Sequence, residues 1–383
     1  MALARGLVSN VAFEQAIGNF AFSLYDEVPK DGNEVLSPYS ITTALLMLML
    51  GTDGKTKNQM MSSMNLNNLP TNVHFNYKRL ELKLTRNAKK GASLLVANRL
   101  YGSNAFSTYK DKVKRYYGSA VQLMDFSRQR EKSRKSINDW IAGKTNNKIK
   151  SVIERKMIDA KTALVLVNAI YFKGSWDAKF DQKRTRREPF SVNQRNRKQV
   201  NMMNAIYNVK SGYNTALNCK ILQLHYSGKR LSMVFLLPNN VNGLNQLESK
   251  LSMNTFKNIL GGLRTQETVI KIPKFKIETG YDLIPILKTR GMTDIFNQRL
   301  ANFKNMANVK RSLYVSTAVH KAFIEVNEDG TEASGSTAVR VPRRDGKKPR
   351  SFQFIANHPF VFAIRDNLTG TIIFLGRVVN PLI

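Results

Sequence analysis

The stretch EDGTEASGSTAVRVPRRDGKKPR, Glu328 to Arg350, joins two unlike segments. In its first half every second residue is small or apolar, beginning with Thr331, Ala333 and Gly335 and continuing with a threonine and two valines. The residues between them are mostly polar. A period of two is typical of a half-buried strand, and such small side chains would let the strand slide between existing strands. The second half is dense in arginine and lysine. We therefore predict a segment that is a loop in one state and a strand in another.

The composition of the remaining chain is that of a globular protein. Its 383 residues, 42% of them hydrophobic, suffice for one large domain or two ordinary ones and exclude disorder as the whole description. Sixty Lys and Arg against 27 Asp and Glu give a formal charge of +33. A positive field of this size makes polyanions the first partners to expect.

Several classes of protein are disfavoured by missing features. Cys219 is the only cysteine, so neither an intrachain disulfide nor a zinc motif is expected. The longest apolar run, about Ile41 to Leu50, is too short to cross a bilayer, so we expect no membrane insertion. No leader is evident, and a secreted protein would have had it removed.

Motifs for catalysis are incomplete. GTDGKT at residues 51–56 lacks the first glycine of a phosphate-binding loop, because residue 49 is methionine. STYK at Ser107 has no supporting motif, and the four histidines show no metal-ligand spacing. We expect neither an enzyme nor a metal site.

Hydrophobic periodicity predicts helices early in the chain and strands late. Helical spacing starts at Phe13, and Ser37 followed by Pro38 reads as a cap and first turn of a buried helix. Further helices are predicted near residues 73–88, 109–117, 133–142 and 244–260. Strands are predicted in SLLVANRLY, TALVLVNAIYF, KILQLHY, LSMVFLLP, TVIKIPKFKIE, LYVSTAVHKAFIEVN, FVFAIRD and GTIIFLGRVV, the last two as a hairpin across NLTG. One mixed unit is the simplest interpretation.

Five phrases connect this pattern to a known family. VLSPYSI, LVNAIYFKGSW, STAVHKAFIEVNEDGTEA, HPFVFAIRD and IIFLGRVVNP resemble serpin signatures in serpin order and extend over essentially the whole chain. The resemblance implies a mixed α/β (α+β) serpin fold, with about nine helices around three β-sheets, in a single domain over residues 1–383. It also implies an exposed reactive-centre loop at about residues 328–350.

The resemblance further implies an inhibitor that acts as a suicide substrate. A serine protease attacks the loop as bait, and the cleaved loop inserts into the large sheet while the protease remains covalently attached. The loop hinge is then Glu328, Gly330, Thr331, Ala333 and Gly335, and bulky or charged residues at Thr331 or Ala333 would obstruct insertion.

Family spacing from Glu328 places Arg344 before the scissile bond and Asp345 after it. An arginine there suits trypsin-like proteases, whose specificity pocket carries a carboxylate. Asp345 departs from the small residue common at that position. Val341-Pro342-Arg343 resembles a thrombin cleavage site, so the Arg343–Arg344 bond remains an alternative, and Lys347 and Lys348 are weaker ones.

A second candidate site is a row of basic residues on a predicted helix. Arg79, Lys83, Arg86 and Lys90 are spaced by four, three and four residues, which places them on one helical face. The simpler interpretation is that this row is the solvent-exposed face of a helix in a protein that is basic overall. However, HFNYKRLELKLTRNAKKGASLLVANRLYG resembles the heparin-binding helix of antithrombin, with Lys78 and Lys89 able to extend the patch. The resemblance implies heparin or another sulfated glycosaminoglycan as a modulator.

Other positions match conformational residues of the family. Ser37, Asn168 and His320 match the polar cluster that controls sheet opening, and a satisfied core histidine is compatible with that role. Trp176, Lys274 and Glu328 match the place where the loop first enters the sheet, and we expect a Lys274–Glu328 ion pair. The Asn367-Leu368-Thr369 sequon is a candidate glycosylation site if the chain is secreted.

Two rival functions stay open. A non-inhibitory serpin could serve as a carrier, chaperone or storage protein, although bulky or charged hinge residues would then be expected. A nucleic-acid-binding protein is the other rival, but no recognised motif is present, so only nonspecific binding is expected. We expect an extracellular monomer, with an intracellular location left open.

Overall fold

The computed structural model describes residues 2–69, 72–85, 92–103, 106–307, 313–331 and 351–383. These residues form nine α-helices in total. In chain order they are α1 (Ala2–Asp26), α2 (Pro38–Met49), α3 (Gly54–Ser63), α4 (Val73–Thr85), α5 (Ser107–Tyr117), α6 (Arg130–Lys144), α7 (Leu244–Glu248), α8 (Met253–Gly261) and α9 (Leu283–Thr289).

The strands fall mostly in the middle and late parts of the chain. They are β1 (Glu34–Leu36), β2 (Ala92–Gly102), β3 (Val121–Leu123), β4 (Leu164–Ser175), β5 (Arg186–Ser191), β6 (Arg197–Asn214), β7 (Cys219–His225), β8 (Leu231–Pro238), β9 (Arg264–Pro273), β10 (Phe275–Asp282), β11 (Val315–Val326), β12 (Gly330–Thr331), β13 (Phe352–Ile355), β14 (Phe360–Asp366) and β15 (Ile372–Val378).

The predicted mixed fold is confirmed, but the three expected sheets are connected as two within the described residues. A nine-stranded sheet runs β1-β15-β14-β8-β7-β6-β9-β13, with β5 on β6, and a six-stranded sheet runs β10-β11-β4-β2-β3, with β12 on β4. Strand β6 is 18 residues long. Its first part pairs with β5 and its last part with β7, while β9 pairs with most of its length. One long strand thereby joins what would otherwise be two sheets.

The start and the burial of helix α2 both agree with the signals in its sequence. The Ser37 side chain accepts a hydrogen bond from the Ser40 amide, Pro38 occupies the first turn, and every residue of the helix is buried. The helix packs against β2, β4 and β15. It lies therefore between the two sheets, as its all-round apolar character predicts.

Two predicted elements are each divided in the structure. The helix predicted near residues 244–260 is two helices, because Ser252 caps α8 through a reciprocal capping box with Thr255. The run TVIKIPKFKIE is also two strands, because the chain passes from β9 in the larger sheet to β10 in the smaller one at Lys274. Apolar periodicity alone shows neither change of direction.

Helix α6 and the chain that follows it cover the joint between two central strands. A hydrophobic cluster combines Ile137 and Ile141 of α6 and Ile149 and Ile153 of the following segment with buried residues of β2, β4 and β11. Thr317 of β11 also donates to the Met157 carbonyl at 2.7 Å. The β4–β11 joint is therefore packed from this side by α6 and the segment that follows it.

Candidate functional site

The chain reverses at the end of β11 in a turn that we name the hinge turn, Asn327–Thr331. The Asn327 amide donates to the Gly330 carbonyl at 2.8 Å, and the Gly330 amide donates back at 3.1 Å. Gly330 has φ of +134°, and a Cβ there would lie 2.1 Å from the Gly174 carbonyl oxygen. Only glycine fits this close approach of two strands.

The reversal places β12 beside β4. Gly330 pairs with Ser175 and Thr331 with Gly174 in antiparallel register. Thr331 is wholly buried, and its hydroxyl lies 3.0 Å from the Tyr226 hydroxyl. The hinge turn thus already holds the first residue of the small-residue segment inside the sheet.

Trp176 packs against the hinge turn and is hydrogen-bonded to it. Its indole N–H donates to the Asn327 carbonyl at 3.0 Å, and its backbone amide donates to the Asp329 carbonyl at 2.9 Å. The indole stacks on Tyr226 with ring centroids 4.6 Å apart and 13° between planes. Stacking over an aromatic base fixes where the turn lies on the sheet.

The ion pair expected between Lys274 and Glu328 is present, with Nζ–Oε2 at 2.9 Å. Thr185 donates to the other carboxylate oxygen at 2.8 Å. Burial acts to raise the pKa of the Glu328 carboxyl, but the hydrogen bonds from Lys274, its own backbone amide and Thr185 together lower it. The carboxylate therefore stays charged and holds the start of the loop.

A second ion pair at the hinge turn was not predicted. Lys179 Nζ lies 2.9 Å from Asp329 Oδ1, and the lysine side chain is only 8% exposed. The partners are 150 residues apart in sequence. No local pattern could reveal this pair, because neither residue stands in a periodic run.

The remaining predicted loop residues, Ala333, Gly335, Arg343, Arg344 and Asp345, lie outside the described residues. Their roles stay predictions. The structure describes the chain before them, up to Thr331 in β12, and after them, with Phe352 as the first residue of β13.

The two edges of β4 are occupied differently. Strand β2 pairs antiparallel with β4 along its whole length, from Gly102 at Leu164 to Ala92 at Gly174. The other edge carries β11 in parallel pairing from Leu164 to Tyr171, and then β12. Parallel pairing is slightly less stable per residue than antiparallel pairing. Of the two edges of β4, the one that carries β11 is therefore held less strongly than the one that carries β2.

A buried group of polar side chains, which we name the polar cluster, crosses that ladder. His320 Nε2 accepts from the Ser37 amide at 3.0 Å, so its Nδ1 carries the proton and donates to Asn168 Oδ1. The Asn168 amide donates to Ser40 Oγ at 2.5 Å and to Asn98 Oδ1. The Ser37 hydroxyl donates to the Ile373 carbonyl at 2.6 Å. Three predicted residues are thus joined, and Ser40 and Asn98 are additional members.

Burial lowers the pKa of His320 to about 3. In the unfolded chain a histidine titrates near 6.5, so between these values the unfolded state binds a proton that the native state does not. Native stability contributed by neutral His320 is therefore full above pH 6.5 and is lost as pH falls toward 3.

We predict that moving from pH 6.5 to 4.5 removes about 2 kcal/mol of native stability through His320 alone, because the loss per pH unit grows from half of about 1.4 kcal/mol to its full value over this range. Urea unfolding at the two pH values measures the loss. His320→Gln should show a loss smaller by that amount, whatever its absolute stability. His74 is the control, because burial also lowers its pKa to about 3 outside the polar cluster, so His74→Gln measures its share separately. Unchanged acid sensitivity in His320→Gln would contradict the assignment.

The basic row on helix α4 is described only in part. Lys83 Nζ is 2.9 Å from Glu14 Oε1 on α1, and the guanidinium of Arg79 lies 5.9 Å from the Phe75 ring centre. Arg86 and Lys90 lie outside the described residues. Lys83 must therefore exchange an intramolecular carboxylate for a ligand, which weakens the expected contribution of this position.

The sequon at Asn367 is held by internal hydrogen bonds. Its Nδ2 donates to the Lys229 carbonyl at 2.8 Å and lies 3.2 Å from His225 Nδ1, while its Oδ1 accepts from Ser232 Oγ at 2.7 Å. A glycan on Nδ2 would remove one of its two hydrogens and break this network. The geometry counts against glycosylation here.

Neither the cysteine nor any group of potential metal ligands forms a reactive site within the part of the chain that the structure describes. Burial raises the pKa of the Cys219 thiol to about 12, so this cysteine is not a reactive thiolate. No group of three or more described His, Cys, Asp or Glu side chains is arranged to hold a metal ion. Among the helices described, none has the length and apolar character needed to span a membrane.

Comparisons with known proteins match this geometry. The family model described as "Serpin (serine protease inhibitor)" matches residues 15–381. The leukocyte elastase inhibitor of Xenopus laevis is 36% identical, covering 96% of this chain and 98% of that protein, and the one of Homo sapiens is 37% identical, covering 91% and 93%. The crystal structure of uncleaved ovalbumin superposes with a TM-score of 0.87 at 30% identity, covering 97% and 100%. The family model and the two sequence relatives are named as protease inhibitors and not as enzymes, as the resemblance implied.

Proposed function

The chain belongs to the serpin family, and on that premise we propose that it inhibits trypsin-like serine proteases as a suicide substrate. The observation that carries the proposal is the register of β12 on β4. Gly330 pairs with Ser175 and Thr331 with Gly174, so paired residue numbers sum to 505. Continued in that register, Val341 would reach Leu164, the first residue of β4.

The small-residue segment therefore has the length of the strand it would pair with. Thr331 faces the buried side against Tyr226, so every second residue after it would face the core as well. These residues are Ala333, Gly335, Thr337, Val339 and Val341. The arginine-rich tail starts just beyond the end of β4, where no charge would have to be buried.

Insertion would also improve the pairing of the sheet. A strand between β4 and β11 replaces one parallel ladder by two antiparallel ones, because β11 runs parallel to β4 and the new strand runs opposite to both. The change requires the His320–Asn168 bond to break, since those residues are direct partners across the ladder. The polar cluster thus sets a barrier that an uncleaved loop does not cross easily.

Cleavage supplies the freedom that insertion needs. The serine hydroxyl of the protease attacks the Arg344 carbonyl, the bond to Asp345 breaks, and the amine of Asp345 leaves with a proton from the histidine of the protease. The new chain end stays attached as an ester and is no longer tied to β13. Insertion then carries the bound protease along the sheet, a switching mode in which a loop becomes a strand.

The choice of a trypsin-like target rests on Arg344, with Arg343 as the alternative. A guanidinium pairs with two oxygens of a pocket carboxylate, which an apolar pocket does not offer. The two sequence relatives, from Xenopus laevis and Homo sapiens, are inhibitors of leukocyte elastase by name. Cleavage after a small residue such as Ala338 or Val339 is therefore the competing result for this chain.

The test is incubation of the protein with trypsin, thrombin and elastase, followed by denaturing electrophoresis and mass spectrometry of the released C-terminal peptide. We expect a complex with trypsin that survives denaturant and a peptide that begins at Asp345. A peptide beginning at Arg344 moves the bait to Arg343, and one beginning at Val339 or Arg340 with elastase contradicts the trypsin-like target. Clean cleavage without any complex supports a carrier, chaperone or storage role instead.

We further propose that a heparin-like glycosaminoglycan binds the basic row on α4 and that the protein acts outside the cell, where such polymers occur. Support comes from the helical placement of Arg79 and Lys83 and from the charge of +33. Bridging the inhibitor and the protease, or shifting the loop, would both follow from such binding.

Replacing Arg79, Lys83, Arg86 and Lys90 by alanine should reduce the slope of log Kd against log salt concentration for heparin by about 3, because each of the four cations accounts for the release of about 0.7 to 0.9 counterions on binding. Isothermal titration at three salt concentrations measures the slope. The matched control replaces Lys110, Lys132, Lys144 and Lys257, which are scattered over α5, α6 and α8. Equal reductions in both variants would leave only bulk charge and remove α4 as a site.

A further inference from the structure

A hairpin that the serpin mechanism does not use carries more Lys and Arg than any other 16-residue stretch of the described chain. We name Lys183–Lys198 the basic hairpin; it comprises the end of a short helical turn, β5, the connecting loop and the start of β6. Seven of its 16 residues are Lys or Arg, against 60 of 383 in the whole chain. They are Lys183, Arg184, Arg186, Arg187, Arg195, Arg197 and Lys198.

These seven cations face water. All seven residues are exposed, and among the described acidic groups only Asp181 lies within 4 Å of one of them, at 3.9 Å from Arg184. The single acid of the hairpin, Glu188, is paired instead with Lys271 of β9 at 2.7 Å. The basic hairpin therefore presents a positive field with almost no internal compensation.

The basic hairpin projects from the edge of the sheet. Residues 197–201 of β6 pair only with β5, since pairing of β6 with β9 begins at Met202. Apart from Phe190 and Val200, which are buried, the strand residues of this two-stranded part are exposed or half-buried. Its buried anchor is Phe190, so charge at the outer positions can change without loss of the core.

The basic hairpin contacts the chain on both sides of the reactive-centre loop. Thr185 donates to the Glu328 carboxylate at 2.8 Å, at the start of the loop. The Ser191 amide donates to the Asn357 carbonyl at 2.8 Å, shortly after β13. The basic hairpin therefore contacts the chain three residues before the described structure stops at Thr331 and six residues after it resumes at Ser351.

We propose that the basic hairpin is a docking surface for an acidic patch on the target protease, which speeds the first encounter before the bait enters the active site. The inference rests on the proposed inhibitory function and adds a second determinant of which protease is captured. Opposite charges across such a surface raise association rates by about 10 to 1,000-fold at low salt.

A protease is favoured over a polysaccharide by the position of the hairpin. A protease that holds the bait is brought close to the segments that flank the loop, and the basic hairpin is hydrogen-bonded to both flanking segments, at Glu328 and at Asn357. A glycosaminoglycan has no such requirement and would need only charge, which this protein offers on many surfaces.

The experiment uses anionic and cationic trypsin, two proteases with the same specificity for arginine and opposite net charge. The test variant replaces Arg187, Arg195, Arg197 and Lys198 by glutamine. The matched control replaces four exposed lysines of α5 and α6, Lys112, Lys114, Lys132 and Lys135, by glutamine, so both variants lose the same charge. Each is assayed for its association rate constant at low and high salt without heparin.

We expect the hairpin variant to react about 10-fold more slowly with anionic trypsin at low salt and within about 2-fold of the parent at high salt, because salt screens exposed charges. The rate with cationic trypsin should not fall, and the number of inhibitor molecules consumed per protease should stay constant. Equal losses in the control variant, or a loss seen only after heparin is added, would overturn the inference.

The inference can fail separately from the proposed function. If no covalent complex forms, the proposed function fails, and binding of anionic trypsin with its catalytic serine replaced by alanine still measures docking. The dissociation constant should then rise about 10-fold in the hairpin variant only, which is a loss of about 1.4 kcal/mol. An unchanged dissociation constant would overturn the docking surface.

Discussion

Replacing Arg344 by alanine is expected to slow inhibition of trypsin by about 30-fold or more, because a buried carboxylate in the protease pocket then loses its partner at a cost of about 2–5 kcal/mol. The effect is on the rate of acylation. The hinge and the strand to which the loop pairs are untouched, so complexes that do form should be as stable as those of the parent. The association rate constant under pseudo-first-order conditions measures the change.

Arg343→Ala is the matched control, since it removes the same charge one residue away. If Arg344 is the bait, this variant should inhibit trypsin within about 3-fold of the parent, because the neighbouring residue makes weaker, surface contacts. The opposite order of effects would assign the bait to Arg343. If both single variants keep the parent rate, neither arginine occupies the pocket and the trypsin-like assignment is wrong.

The elements that sequence could predict are those whose signals are local. Ser37 and Pro38 mark the start of α2, and its unbroken apolar residues match its burial between sheets. The hairpin of β14 and β15 follows from two strand-like runs around NLTG. In both cases neighbouring residues alone fix the conformation, so the patterns are reliable.

Other elements depend on partners far away in sequence. Strand β6 was missed because its exposure alternates irregularly and it pairs with three different strands along its length. The break between β9 and β10 at Lys274 is set by which sheet each half joins. Tertiary pairing overrides local propensity in such strands.

Some contacts of the candidate site could be predicted from the sequence, and others required the structure. The Lys274–Glu328 pair and the polar cluster were accessible through family resemblance, which carries tertiary information that periodicity lacks. Asp329 lies in one of the family phrases but Lys179 does not, so the resemblance does not predict the Lys179–Asp329 pair. The agreement in length between the small-residue segment and β4 required the register of β12, which only coordinates supply.

Thr331→Arg is expected to convert the inhibitor into a substrate, with the inhibitor molecules consumed per protease rising from about one to above about ten, a shift of at least about 1.4 kcal/mol in favour of ester hydrolysis. Thr331 is wholly buried beside Tyr226 in the structure. An arginine there would bury an unpaired charge at a cost of about 3–5 kcal/mol, so the hinge residue must leave the sheet. Insertion then starts from a displaced hinge and slows relative to hydrolysis.

The same burial means that Thr331→Arg also loosens the hinge turn before any protease binds, so a lower melting temperature accompanies the change. Thr331→Val separates the two effects, because it keeps the branched shape and loses only the contact with the Tyr226 hydroxyl, about 1 kcal/mol. This variant should be slightly less stable and inhibit as the parent does. Covalent complex formation by Thr331→Arg in the parent's yield, measured by denaturing electrophoresis at equal protease, would show that the segment after Thr331 does not enter the sheet between β4 and β11.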